Sequence, residues 1–185
     1  MPNQTKSFIK DKTAGIFINI KSTKMEEIII KPIGTIFTPH TTIKNMPIQP
    51  LAAKGIKGYI KILPEYMKGL KDLEGFSHIT LIYHFHKING YELVVTPFMD
   101  TEERGIFACK APKRPNAIGI STVKLLSIKE NVLYIEQVDM LDETPLIDIK
   151  PFYPRYDNRL KVKIGWLEKH KNIPVEKLRS DERFK

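Results

Sequence analysis

The chain has 185 residues, 42% of them hydrophobic, with 30 Lys and Arg against 21 Asp and Glu, a formal charge of +9. This excludes a wholly disordered polyelectrolyte and suits one domain with extensions, while the basic excess favours a polyanionic partner, nucleic acid before an anionic membrane surface. A single cysteine, Cys109, rules out an intrachain disulfide and points to the cytoplasm, and no apolar run is long enough to span a bilayer.

Residues 1–26 are rich in Lys, Thr and Asn around one apolar island, GIFINI, and lack the apolar core of a signal peptide. They read as an N-terminal extension, either flexible or upstream of the true start. The core domain is expected over 27–156. Its first run, EEIIIKPIGTIF, is strand-like, and HTTIKNMPIQPLAAKG with Pro47 and Pro50 reads as a loop. IKGYIKI alternates with the period of a half-buried strand. PEYMKGLKDLEGF opens on Pro64 and closes on Gly75, which fits a short helix. SHITLIYHFH and YELVVTP are two further strands. CKAPKRPNAIGIS sets Lys110, Lys113 and Arg114 around Pro112 and Pro115, then turns on Asn116 and Gly119 into a strand. AIGISTVKLLSI and VLYIEQVDML pair around the turn KEN. TPLIDIKPF is a last strand, which Pro145 and Pro151 restrict to a sheet edge or a barrel rim. Many short strands and few helices predict a mainly β domain, a sandwich or barrel. The tail, 157–185, is charged and helix-prone, with Trp166 and Leu167 expected to pack on the core or on a second copy.

No Gly-x-Gly-x-x-Gly and no phosphate-loop Lys-Ser/Thr pair is present, which argues against a dinucleotide-binding α/β domain. His84 and His86 lie two apart in a strand-like run and so share a predicted face. With His78 distant and no third ligand, they read as residues of a pocket or strand edge, and no metal is expected. Cys109 is either a small buried residue or half of a Cys–His nucleophilic pair, the first reading being favoured. Asp139, Asp142, Glu143 and Asp148, with Lys150 and Arg155, form a proline-bounded carboxylate cluster. Such a cluster does acid–base work when burial tunes it; otherwise it is a charged turn with local ion pairs.

Three segments in order, LEGFSHITLIYHFH, RGIFACKAPKRPNAIGIS and DMLDETPLIDIKPFYP, resemble the TrmO/TsaA-like family of S-adenosylmethionine-dependent tRNA methyltransferases. The resemblance spans roughly residues 28–156. It implies a small β-barrel-type core, a homodimer, and methylation of N6 of threonylcarbamoyl-adenosine beside the tRNA anticodon. It also implies the short, archaeal-like form of the family. Carried over by motif position, the cofactor site comprises Pro50, Leu51, Ala52, His86, Lys87, Lys110, Ile120, Glu136, Gln137, Val138 and Asp139. Lys113, Arg114 and Asn116 then face the RNA. For the chemistry, Asp142 and Asp148 are the expected bases, with Arg114 or Lys150 stabilising charge on the carbamoyl oxygen. A structural Asp148–Lys150 ion pair is the competing reading. Three positions depart from the family pattern: Lys110 for Arg, Ala117 for Pro, and Glu143 for Gly. Two alternatives share the composition: an RNA-binding β-barrel module without catalysis, and a methyltransferase acting on a small molecule.

Overall fold

The computed structural model describes residues 27–159 and 161–184, together with the backbone of 8–10 and 17–19. These fall into two units, Met1–Ile30 and Lys31–Lys185. In the first, β1 (Phe8–Lys10) pairs antiparallel with β2 (Phe17–Asn19). The rest of the expected extension over 1–26 lies outside the described residues.

In the second unit six strands close into a barrel. They are β3 (Gly34–Phe37), β4 (Lys57–Ile62), β5 (His78–His84), β8 (Ile118–Lys129), β9 (Val132–Glu136) and β10 (Thr144–Pro151). Their order around the wall is β10-β3-β4-β9-β8-β5, closing back on β10, and every pairing is antiparallel. The period of two in the sequence explains the wall. Ile60 and Ile62, Ile79 and Leu81, Val123, Leu133 and Ile135, and Leu146 point inward and are almost fully buried. Six strands around a small lumen need tight backbone approach and local bends. At Gly58 a Cβ would lie 2.5 Å from the Phe37 carbonyl. Register shifts between Leu125 and Ser127 in β8, and between Leu146 and Asp148 in β10, bend the wall. Outside the barrel, β6 (Val94–Val95) and β7 (Arg104–Gly105) form a small ladder.

The mainly β expectation and the hairpin around KEN agree with this barrel, whose tight turn holds Glu130 at φ 54°. Several local expectations are refined. The short helix from Pro64 is 3-10 in type and comes in two pieces, Pro64–Leu70 and Leu73–Gly75, split by Asp72 at φ 66°. In YELVVTP only Val94–Val95 pairs, because its neighbour β7 is itself two residues long. For the last strand the barrel-rim alternative holds rather than the sheet edge, since the barrel closes on both sides of it. Its prolines sit near its two ends, where only one neighbour is paired, Pro145 opposite Thr35 and Pro151 opposite Ile79.

The tail holds one turn of α-helix, α1 (Pro154–Asp157), and 3-10 turns at Gly165–His170 and Val175–Lys177, with Pro174 between them. Trp166 packs on its own chain: its indole N–H donates to the Ala108 carbonyl at 2.8 Å, and Arg104 lies 5.4 Å from its ring centroid. Residues 178–184 then return across the domain as a strap. Asn45 and Ile48 donate their N–H groups to the Ser180 and Leu178 carbonyls, and the Ser180 N–H donates to Met46. Arg183 donates to the Pro97 carbonyl at 2.6 Å, and Phe184 is buried against Val95, Ile106 and Ala111, edge-on to Phe98 at 5.0 Å.

Candidate active site

A cavity of about 520 Å³ opens where β5 ends and β8 begins, a size suited to a cofactor or drug-sized ligand. Its walls come from the 41–49 loop, the turn after β5, the 109–114 loop, the start of β8, residues 139–141 and the strap. Tyr83 and Gly119, register partners across β5 and β8, form part of the wall. Any Cβ at Gly119 would strike the Tyr83 ring, so glycine lets the phenol lie flat against the strand. The Tyr83 hydroxyl pairs with Ser121 Oγ at 3.1 Å, and burial, with the nearby Asp139, pushes its pKa far up, so it stays protonated.

Asp139 is the most unusual group in this wall. It is 9% exposed, and its Oδ1 is buried with no hydrogen-bond partner. Burial pushes its carboxyl up to about 7, against the opposing pull of a Ser121 hydrogen bond and the Lys110 charge. The backbone leading to it is unusual too. Just after β9, Gln137 sits at φ 72°, held by its N–H to the Ile56 carbonyl at 2.8 Å. A non-glycine residue in the left-handed region beside a buried carboxyl with one unpartnered oxygen is the kind of feature found at built sites.

His86 faces the same cavity. It does not share a strand face with His84: β5 stops at His84, which is exposed, and the His86 N–H turns back to the His84 carbonyl at 2.9 Å. The turn puts His86 Nδ1 3.5 Å from Thr144 Oγ1 and leaves Nε2 buried without a partner. Burial, with Lys87 and His84 adding like charge, lowers its pKa, so the imidazole is neutral at pH 7. Among the described residues no group of three or more potential metal ligands exists.

The proline loop divides differently from its order in sequence. Lys110 and Arg114 both line the cavity. Arg114 Nη1 donates to the Ile106 and Cys109 carbonyls at 2.9 and 2.8 Å, and its guanidinium lies 5.8 Å from the Phe107 ring centroid. It therefore braces the turn at Ile106–Ala108 while it faces the cavity. Lys113 pairs with Glu92 at 2.7 Å outside the cavity, and Asn116 is exposed. Cys109 lines the wall, half-buried, its thiol directed at the Ile106 carbonyl.

Of the remaining expected cofactor residues, Lys87, at the turn, and Ile120, 57% exposed at the start of β8, line the cavity. Pro50, Leu51 and Ala52 do not; they form a 3-10 turn, Pro50–Ala53, with Leu51 outward, and the neighbouring Ile48 and Gln49 reach the wall instead. Val138 lies in the barrel core, and the Glu136 carboxylate accepts the Gly55 N–H at 3.3 Å. The Asp142 carboxylate accepts the Thr38 N–H at 3.0 Å. Asp148 and Lys150 pair with each other at 2.9 Å on the exposed wall of β10, away from the cavity. Among the contributors without a sequence signal are Tyr83, which reads as a core strand residue, and Ser180 and Phe184, which sit in a charged tail. The Ser180 hydroxyl also bonds the Ile43 carbonyl, tying the strap to the 41–49 loop.

The Glu143 departure has a backbone meaning. Glu143 adopts φ 60°, a conformation that disfavours any residue with a Cβ. Glu143→Gly is expected to stabilise the fold by roughly 1 kcal/mol, less the larger entropy glycine gives the unfolded chain. Urea unfolding checks this, and a loss of stability would show that the Glu143 side chain contributes more than its strain.

Comparison with known proteins places this cavity in a family. The tRNA-methyltransferase O N-terminal domain matches residues 35–158. A protein of Pyrococcus abyssi described as a probable S-adenosyl-L-methionine-binding protein is 52% identical over 157 residues, 85% of each chain. A Mus musculus protein named tRNA (adenine(37)-N6)-methyltransferase is 33% identical over 140 residues, 71% of this chain and 32% of that one. The crystal structure of TrmO from Pseudomonas aeruginosa superposes with a TM-score of 0.65 at 31% identity, covering 76% of this chain and 63% of that chain. This chain thus spans less than two thirds of that solved protein, and its strap lies beyond the matched domain. With the matched domain holding most of the barrel and of the cavity wall, the chain belongs to the tRNA-methyltransferase O N-terminal domain family.

Proposed function

We propose that the chain is an S-adenosylmethionine-dependent tRNA methyltransferase that acts on N6 of threonylcarbamoyl-adenosine beside the anticodon. The observation that carries this reading is the cavity lined by Asp139, His86, Lys110 and Arg114, all within the family-matched segment. The donor set fits the cofactor. Asp139 Oδ1 lacks a partner and suits an ammonium or ribose hydroxyl; Lys110 suits a carboxylate; the apolar wall around Met46, Phe85 and Ile118 suits an adenine. When bound, S-adenosylmethionine supplies an electrophilic methyl group on a sulfonium.

The residues of the chain align donor and acceptor and exclude water. The strap and the 41–49 loop line the cavity and are proposed to help shield the reacting centre. The acceptor nitrogen carries a proton that must leave, and its urea-type carbonyl weakens it as a nucleophile. Asp142, next to the cavity-lining Leu141, is proposed as the proton acceptor, and Arg114 as the group facing the carbamoyl oxygen. The Asp148–Lys150 ion pair favours a structural role for those two over a catalytic one. Pro50, Leu51, Ala52, Glu136, Gln137 and Val138 are proposed to act from behind the wall, by holding the loop and Asp139 in place. The enzyme is proposed to work as a homodimer in the cytoplasm; light scattering tests the assembly, with twice 21.4 kDa expected and a clean monomer mass against it. No helix among the described residues is long and apolar enough to cross a membrane.

The test of the acceptor uses tRNA with and without the threonylcarbamoyl group, labelled cofactor, and digestion to nucleosides. Methylation is expected only with the modification, since a site built for its polar groups leaves them unpaired without it. Equal methylation of both RNAs removes the specific acceptor and leaves RNA methylation standing.

A further inference from the structure

Away from the cavity, the barrel wall of β3, β4, β9 and β8 turns a patterned outer face to solvent. Phe37, Tyr59 and Tyr134 stand side by side on three successive strands, being register partners in turn. The Phe37 and Tyr59 rings stack at 4.8 Å with 16° between planes. Tyr59 is 42% exposed and Tyr134 40%, so both rings remain partly open to solvent. Lys57 and Lys61 flank Tyr59 at two-residue spacing and share its face. Lys129 places Nζ 5.9 Å from the Tyr134 ring centroid, and Lys124 projects outward from β8. All four lysines are exposed, and among the described residues none of them has an ion pair. The acidic groups nearby are Glu136, opposite Lys57 and Lys124, and Glu130 in the hairpin turn.

We propose that this face is a platform for unpaired RNA bases, with Tyr59 and Tyr134 stacking on bases and Lys57, Lys61 and Lys129 meeting the flanking phosphates. It rests on the RNA part of the reading above. Charge complementarity selects the occupant. A polyanion with flat apolar bases satisfies rings and lysines together. An apolar protein surface would desolvate four unpaired ammonium groups. A second copy related by a two-fold axis would bring the same lysines of both copies together.

The test is fluorescence anisotropy with a short labelled single-stranded oligoribonucleotide and with an unmodified tRNA transcript. Tyr59→Ala combined with Tyr134→Ala is expected to weaken oligonucleotide binding by about fivefold to a hundredfold. Tyr59→Phe with Tyr134→Phe should restore it, because phenylalanine keeps the ring. Lys57→Gln with Lys61→Gln should also weaken binding and flatten its logarithmic salt dependence by roughly 0.7 per lost phosphate contact. S-adenosylmethionine affinity, measured on every variant, should stay at the wild-type value; failure of the wild type itself to bind cofactor would instead count against the methyltransferase reading. Wild-type RNA affinity in the alanine pair overturns the proposal, as does a fall in assembly mass with unaltered RNA affinity, which would make the face a contact between copies. If the alanine pair melts early, Lys57→Glu with Lys61→Glu, which alters no ring, decides by the same criterion.

Discussion

Replacing Asp139 by asparagine is expected to remove a pH-dependent loss of stability that the wild-type protein suffers between about pH 4 and pH 8. Burial raises the folded-state value of this carboxyl from 3.8 to about 7, so the folded chain binds the proton more tightly than the unfolded chain. The stability this contributes is fully present below the unfolded value and is lost as pH rises through about 7. The rise to about 7 is net of the opposing pull of Ser121 and Lys110, and it sets the direction of the pH dependence. Asparagine keeps the shape and cannot ionise. Urea unfolding of both proteins at about pH 5 and about pH 8 isolates the effect as a difference of differences. The Asp139→Asn variant should gain on wild type at the higher pH, and an equal pH dependence in the two proteins would show that Asp139 is already ionised or solvated. The same substitution should weaken cofactor binding by about tenfold to a hundredfold, the range for loss of a charge-assisted hydrogen bond.

Phe184→Ala is the second large effect. Phe184 is 4% exposed, packs with Val95, Ile106, Ala111 and Phe98, and also lines the cavity. Truncating a buried phenylalanine costs roughly 3–5 kcal/mol. The loss should appear twice: as a lower unfolding free energy, and as weaker cofactor binding, because Ser180 and the 41–49 loop lose the anchor at the end of their strap. Phe184→Leu, which refills most of the volume, should recover most of both. If stability falls while affinity is untouched, the strap is a structural brace and no part of the binding wall.

The fold was legible where burial has a period. IKGYIKI, SHITLIYHFH and the pair around KEN are strands because their alternation puts Ile60, Leu81, Val123 and Leu133 inside one lumen. The barrel's closure was not legible, since it depends on β10 meeting both β3 and β5, a pairing between segments more than sixty residues apart. The short helix expected from Pro64 is there as 3-10 helix, and the left-handed residue Asp72 splits it before Gly75, a break the sequence does not announce. The site was partly legible. The proline loop announced itself by its cations, and the resemblance drew in Asp139 and His86. Nothing local reveals that Asp139 Oδ1 lacks a partner, or that Lys113 belongs to Glu92, because both follow from where distant loops meet. The strap was least legible: its charged residues, Arg179, Asp181, Glu182 and Arg183, conceal the contribution of Ser180 and Phe184 to the wall.

Calorimetric titration of S-adenosylmethionine into the protein at about pH 7, in two buffers of different ionisation enthalpy, tests the central claim, that this cavity is a cofactor site built around Asp139. One saturable site per chain is predicted, with release of a fraction of a proton in the wild type as the bound ammonium draws Asp139 into its ionised form. That release should be absent in Asp139→Asn. No saturable binding to the folded wild-type protein, or binding that Asp139→Asn leaves unchanged in both affinity and proton release, would contradict it.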